Sequence, residues 1–108
     1  MSAEQREEDR YDVQLAGALQ DGTGLADPVR ITNLSRRGCR FTVPGRTRLG
    51  KLITIAVGRV GYLDAQVKWR LGSTYGVRFD DALPQVVLDH MRLFLSEQPA
   101  LVAERSRA

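Results

Sequence analysis

Leu63-Asp64-Ala65-Gln66-Val67-Lys68-Trp69-Arg70 alternates apolar and polar residues without a break. A strand turns successive side chains to opposite faces, so Leu63, Ala65, Val67 and Trp69 are expected on one side and Asp64, Gln66, Lys68 and Arg70 on the other. A helix would scatter the same apolar residues around its circumference, and the segment therefore reads as a half-buried strand. The period extends outward from it in both directions. Upstream, Gly58-Arg59-Val60-Gly61 reads as a hairpin connection to a strand opened by Gly50, in which Ile53, Ile55 and Val57 face one way. Downstream, Leu71-Gly72-Ser73-Thr74 turns the chain into Tyr75, Val77 and Phe79, which alternate with Gly76, Arg78 and Asp80.

The first half of the chain repeats the pattern. Tyr11, Val13, Leu15 and Leu19 fall on one strand face with Gly17 among them, and Asp21-Gly22-Thr23-Gly24 makes a turn. Val29 and Ile31 continue the alternation, with Asn33 at the end of the same phase. Cys39, Phe41 and Val43 then alternate with Arg40 and Thr42 until Pro44-Gly45 stops the strand. Six short strands with regular turns predict a small, mostly antiparallel barrel or sandwich. After Asp81 the period changes. Leu83, Val87, Met91, Phe94 and Leu95, with Val86 and Leu88 nearby, suit an amphipathic C-terminal α-helix starting near Pro84 and covering an open part of the barrel. Asp80 or Asp81 is expected to favour its N-terminal end. Residues 1–10 read as a flexible charged arm, 11–96 as the folded domain, and 97–108, which contain Pro99, as a disordered tail. There are no internal repeats.

At 108 residues the chain has one domain's worth of core. No apolar run is long enough to span a bilayer, and the charged N-terminus lacks the apolar centre of a secretory signal, so a cytoplasmic location is the expectation. Cys39 stands alone, which leaves no intrachain disulfide. The net charge of +3 is small, but its distribution is informative. Between Pro28 and Leu63 there is no Asp or Glu, while Arg30, Arg36, Arg37, Arg40, Arg46, Arg48, Lys51 and Arg59 all lie there. Fourteen of the sixteen basic residues are Arg, whose planar fork grips phosphate oxygens and guanine edges better than an ammonium does.

Catalytic chemistry has little support. His90 is the one histidine, read as a solvated residue beside Asp89, and one His with one Cys gives no zinc set. Ser35 has no base near it in sequence and no nucleophile elbow around it. No phosphate-loop or dinucleotide fingerprint is present, and no metal or cofactor is expected. Trp69, Tyr75 and Phe79 alternate with charged residues and are read as a buried core stripe rather than a base-stacking platform, leaving Tyr62 as the exposed ring. Cys39 reads as a small buried hydrophobe.

Two short polar motifs remain. Arg6-Glu7-Glu8-Asp9-Arg10 precedes the first strand, and Asn33-Leu34-Ser35-Arg36-Arg37-Gly38 follows the second. In this order, around six strands and a terminal helix, they resemble the PilZ domain family, small bacterial barrels that bind the second messenger cyclic di-GMP. Val67-Lys68-Trp69 and Tyr75-Gly76-Val77-Arg78-Phe79 are similar to the family's closing strands, so the resemblance spans roughly residues 6–95. It implies a six-stranded antiparallel β-barrel with a C-terminal helix, a ligand-binding rather than enzymatic role, and a site made of Arg6, Arg10, Asn33, Ser35 and Gly38. Arg6 and Arg10 would wrap onto the ligand as the arm orders. Asn33 and Ser35 would bond guanine edge and phosphate groups, and Gly38 would leave room for the base or set the turn. Arg36, Arg37 and Arg40 would add positive potential without direct contact. A protein partner would then read the ordered arm.

The chain departs from the family pattern in two places. Asn33 stands where Asp is common, and a single carbonyl oxygen cannot take both the N1 and N2 hydrogens of guanine as a carboxylate does. Glu7, Glu8 and Asp9 bring negative charge between the two arginines. These departures favour one alternative, a degenerate PilZ barrel acting as an interaction adaptor without the ligand. A second alternative, a small barrel binding a nucleic-acid polymer, is motivated by the acid-free segment but lacks exposed aromatics interleaved with basic residues.

Overall fold

The computed structural model describes residues 9–20, 26–44, 49–58 and 60–97. Six strands, β1 (Tyr11–Gln20), β2 (Ala26–Leu34), β3 (Gly38–Thr42), β4 (Leu52–Val57), β5 (Tyr62–Leu71) and β6 (Thr74–Phe79), precede α1 (Gln85–His90) and one π-helical turn, Met91–Leu95. The strands close into an antiparallel barrel in the order β1-β2-β3-β6-β5-β4. The predicted barrel and terminal helix are therefore present. Pairing of Gly17 with Val57 and Leu19 with Ile55 joins β1 to β4 and closes the barrel, which leaves no strand edge unpaired. Most of the predicted arm, 1–10, and of the predicted tail, 97–108, lies outside the described residues.

Alternation puts the expected side chains in the lumen. Leu15, Ile31, Phe41, Ile55, Val57 and Tyr75 are almost fully buried, and each large apolar side chain so placed stabilises the fold by about 1.5–3 kcal/mol. Phe41 pairs with Tyr75 across β3 and β6, and their rings stack with centroids 5.7 Å apart. Gly17 is dictated by closure, because a Cβ there would lie 2.7 Å from both the Ala56 carbonyl oxygen and Ile31 Cδ1. Cys39 is buried as expected. Removal from water pushes its thiol up to about 12, against a smaller lowering by the Arg10 charge.

Two features depart from strict alternation. Between Ile31 and Asn33 the β2–β3 register slips by one residue, with Thr32 as the extra one. Leu34 is consequently fully buried and Asn33 turns outward, not to the face of Val29 and Ile31. Between Val67 and Trp69 the β5–β6 register slips in the same way, with Lys68 as the extra residue. Trp69 pairs with Gly76 and is 47 % exposed, so the expectation that it joins Tyr75 and Phe79 in the core is corrected. Tyr75 and Phe79 are buried as expected, and Tyr62 is exposed. Arg70 shows the same inversion, since its guanidinium lies over the Tyr75 ring at 5.8 Å rather than on the outer face.

The C-terminal segment covers one end of the barrel through Leu83 ahead of α1, Leu88 within it and Met91 at the start of the π turn, all in the core cluster. Its ends are tied to the sheet. The Leu83 N–H donates to the Arg36 carbonyl at 2.7 Å, and Arg36 Nε donates to the Leu83 carbonyl at 2.8 Å. At the other end Gln14 N–H donates to Ser96 Oγ at 2.8 Å, and Glu97 N–H donates to the Gln14 carbonyl at 2.9 Å. The first turn holds no acidic residue and Pro84 occupies the N-cap, so Asp80 and Asp81 do not serve the helix terminus as expected. Phe94 is 73 % exposed instead of lying on the buried face. The wider π turn moves the apolar phase onto Met91 and Leu95, and Phe94 packs against the exposed His90 ring at 5.4 Å.

Candidate functional site

Of the three register slips, which include one between Asp12 and Leu15 in the β1–β2 pairing, the two on β2 and β5 re-aim side chains on one patch of the barrel exterior. A β-bulge reverses which face receives the side chains beyond it, and bulges recur where a side chain must be re-aimed. Here they bring Asn33 on β2 and Trp69 on β5 outward, with β3 and β6 between them. Arg40 pairs with both Asn33 and Gly76, and so lies between the two re-aimed residues. The result is an open cleft of about 470 Å³ on the outer sheet surface.

The cleft is basic. Arg10, Arg37, Arg40, Lys68 and Arg78 line it, and among the described residues no Asp or Glu does. Arg40 is held by Nε donation to Thr32 Oγ1 at 2.9 Å, while Lys68 Nζ donates to Gln66 Oε1 at 3.3 Å. Like charges gathered on one surface raise each other's energy, and an anion seated among them relieves that repulsion. Trp69 supplies a flat wall. Its indole lies against Gly76 so closely that a Cβ on Gly76 would collide with Nε1 and Cε2, and only glycine lets the ring settle on the sheet.

The described residues of the two sequence motifs converge here, each in a different role. Arg10 donates from its terminal nitrogen to Asn33 Oδ1 at 2.9 Å, so the end of the arm already reaches the second motif. Asn33 Nδ2 in turn donates to Asp12 Oδ1 at 3.3 Å. Ser35 is fully buried beneath the loop and is not a lining residue. Its Oγ accepts from the Arg37 and Gly38 N–H groups, both at 3.2 Å, and donates to the Gly38 carbonyl at 3.3 Å. Gly38 lines the cleft, but its lack of a side chain serves the sheet, because a Cβ would strike the Val77 carbonyl oxygen of β6. Arg36 is committed to Leu83. Arg6 lies outside the described residues, as do Glu7 and Glu8.

Sequence reading gave Arg37 and Arg40 only a background role and missed Lys68, Trp69 and Arg78 as cleft residues. Arg78 stands two residues from Gly76 on one strand face, a placement the alternation does show, but the bulge that exposes Trp69 and sets it against Gly76 leaves no mark in an alternating pattern. Among the described residues no group of three or more His, Cys, Asp or Glu is placed to hold a metal ion. No helix among them is long and apolar enough to cross a membrane.

A closed six-stranded antiparallel barrel, capped by a helix and bearing a basic cleft on its outer face, places the chain in the class of small antiparallel β-barrels. The family model of the PilZ domain matches residues 4–97, nearly the whole chain, and the protein belongs to that family. PilZ domains are generally cyclic di-GMP-binding effector domains and not typically enzymes. No curated protein matches the chain.

Proposed function

We propose that this chain is a cyclic di-GMP receptor that signals to a protein partner without catalysing a reaction. The observation that supports this most is the cleft itself, five cationic side chains and one flat indole with no lining carboxylate among the described residues. Cyclic di-GMP offers two phosphodiesters for guanidinium forks and two guanines whose faces can stack and whose edges carry both donors and acceptors. Arg10 and the arm residue Arg6 close over the ligand. Asn33 meets a guanine edge, Trp69 stacks on a base, and Arg37, Arg40 and Arg78 neutralise phosphate. Ser35 contributes by holding the Arg37 and Gly38 backbone in place. The arm gives up conformational entropy as it orders, about 1–2 kcal/mol per fixed residue, and the charge-assisted bonds offset that cost.

Trp69 is the one tryptophan of the chain, which makes it the reporter. Titration with cyclic di-GMP should quench its fluorescence saturably, and Trp69→Ala should weaken binding by about 1–3 kcal/mol, the worth of one base–aromatic stack. An unaltered emission spectrum at high micromolar ligand counts against the proposal.

The exposed Trp69 among basic residues also fits the single-stranded nucleic-acid reading. Trp69 is the sole aromatic lining residue, among the described ones, of a cleft of about 470 Å³, and that favours a compact dinucleotide over a polymer. A salt-dependent gel shift with single-stranded DNA or RNA would favour the polymer instead. The adaptor reading finds support in Val86 and Phe94, which stand 74 % and 73 % exposed on the terminal helix and are available to a protein partner.

A further inference from the structure

Asp12 has no place in either motif, yet it faces Asn33 directly as its cross-strand partner. The contact fixes something that Asn33 alone cannot. A side-chain amide has a donor end and an acceptor end of nearly the same shape, and a half-turn about its last bond exchanges them. Asp12, ionised, only accepts. Its bond from Asn33 Nδ2 at 3.3 Å therefore requires the nitrogen to face β1, and Oδ1 then faces Arg10, which donates to it at 2.9 Å. One carboxylate and one guanidinium hold the amide from opposite ends, and Oδ1 keeps a second lone pair for a ligand.

Resting on the cyclic di-GMP reading, we infer that Asp12 is a positioning residue that sets base selectivity by locking the Asn33 oxygen toward the cleft. Guanine presents N1–H and N2–H donors on its pairing edge, whereas adenine presents an N1 acceptor beside its N6 donor. An oxygen held toward the cleft suits guanine, and an amide free to turn suits either base. Placing Asn where the family often has Asp removes a group that accepts at both oxygens, and the neighbouring carboxylate restores the acceptor character by orientation.

The rival role for Asp12 is a field effect with the opposite sign. A negative charge near an anion site weakens binding, so Asp12→Ala should then tighten cyclic di-GMP and cyclic di-AMP alike. The locking role gives a loss of preference. Titration of the wild-type chain and of Asp12→Ala with each dinucleotide should show the ratio of the two affinities falling by about 5- to 10-fold, the lower range of one base-edge discrimination. In an Asn33→Asp background the position has no donor end to turn, and Asp12→Ala should leave the ratio unchanged. An unchanged ratio in the native background overturns the inference, as does an equal change in both backgrounds. A ligand-free readout separates this from the receptor reading: the Asn33 side-chain NH2 signals in a 15N–1H spectrum should shift and exchange faster with solvent in Asp12→Ala. A wild-type chain that binds neither dinucleotide removes the receptor reading and the selectivity role together. Unmoved Asn33 signals overturn the locking contact itself.

Discussion

Ser35 and Arg10 serve the same cleft by opposite means. The Ser35 hydroxyl is fully buried and accepts two backbone N–H groups, that of Gly38 in a buried bond and that of Arg37 in a part-buried one, so its removal takes away the partner of both. Ser35→Ala is expected to lower stability by about 1–3 kcal/mol, the cost of unsatisfied buried donors. At about 4–8 °C per kcal/mol for a domain near this size, thermal denaturation will show it as a drop of several degrees in Tm. Arg10 makes an exposed bond, whose loss matters little to stability. Arg10→Ala should keep the wild-type Tm. A Ser35→Ala protein that melts with the wild type would show that the hydroxyl is not what holds the loop.

Strand pairing decides which residues reach the cleft. Leu63, Ala65, Val67, Tyr75, Val77 and Phe79 follow a two-residue period, and that period was enough to place β5 and β6 and their buried faces. It could not reveal that Lys68 and Thr32 are extra residues in their pairings, because a bulge is a relation between two strands and not a property of one. Asn33 was assigned to the inner phase and Trp69 to the core for that single reason. The π turn displaced Phe94 in the same manner, by changing the helical period after the point where the pattern had been read. The motif residues were legible by type and order, whereas the burial of Ser35 depended on the fold of its loop. Gly38 tests the strand geometry. A Cβ there meets the Val77 carbonyl, a backbone atom that cannot rotate away, so Gly38→Ala should part β3 from β6. Chemical denaturation is expected to show a loss of about 1–3 kcal/mol, the usual cost of overpacking. Gly50→Ala, where a Cβ meets nothing within 4 Å, should be neutral in the same assay.

Taken as a whole, the molecule sets a closed barrel beside the described end of the arm, where Arg10 bonds Asn33. The loop over the cleft also holds the helix. Arg36 bonds Leu83 ahead of α1, and Arg92 stacks over Tyr11, the residue after Arg10, at 4.2 Å. The arm, the loop and the helix thus share neighbours at one end of the barrel. The cleft gathers five cationic side chains, and binding driven by them must weaken with salt, since charges more than about 8 Å apart are largely screened at physiological ionic strength. The most direct test is calorimetric titration of the full chain with cyclic di-GMP at low and at physiological salt. Saturable binding of one ligand or a stacked pair, weaker at the higher salt and largely lost in Arg10→Ala, is the expected result. Heats no different from buffer at high micromolar ligand under both conditions would contradict the proposal and leave the PilZ fold without its ligand.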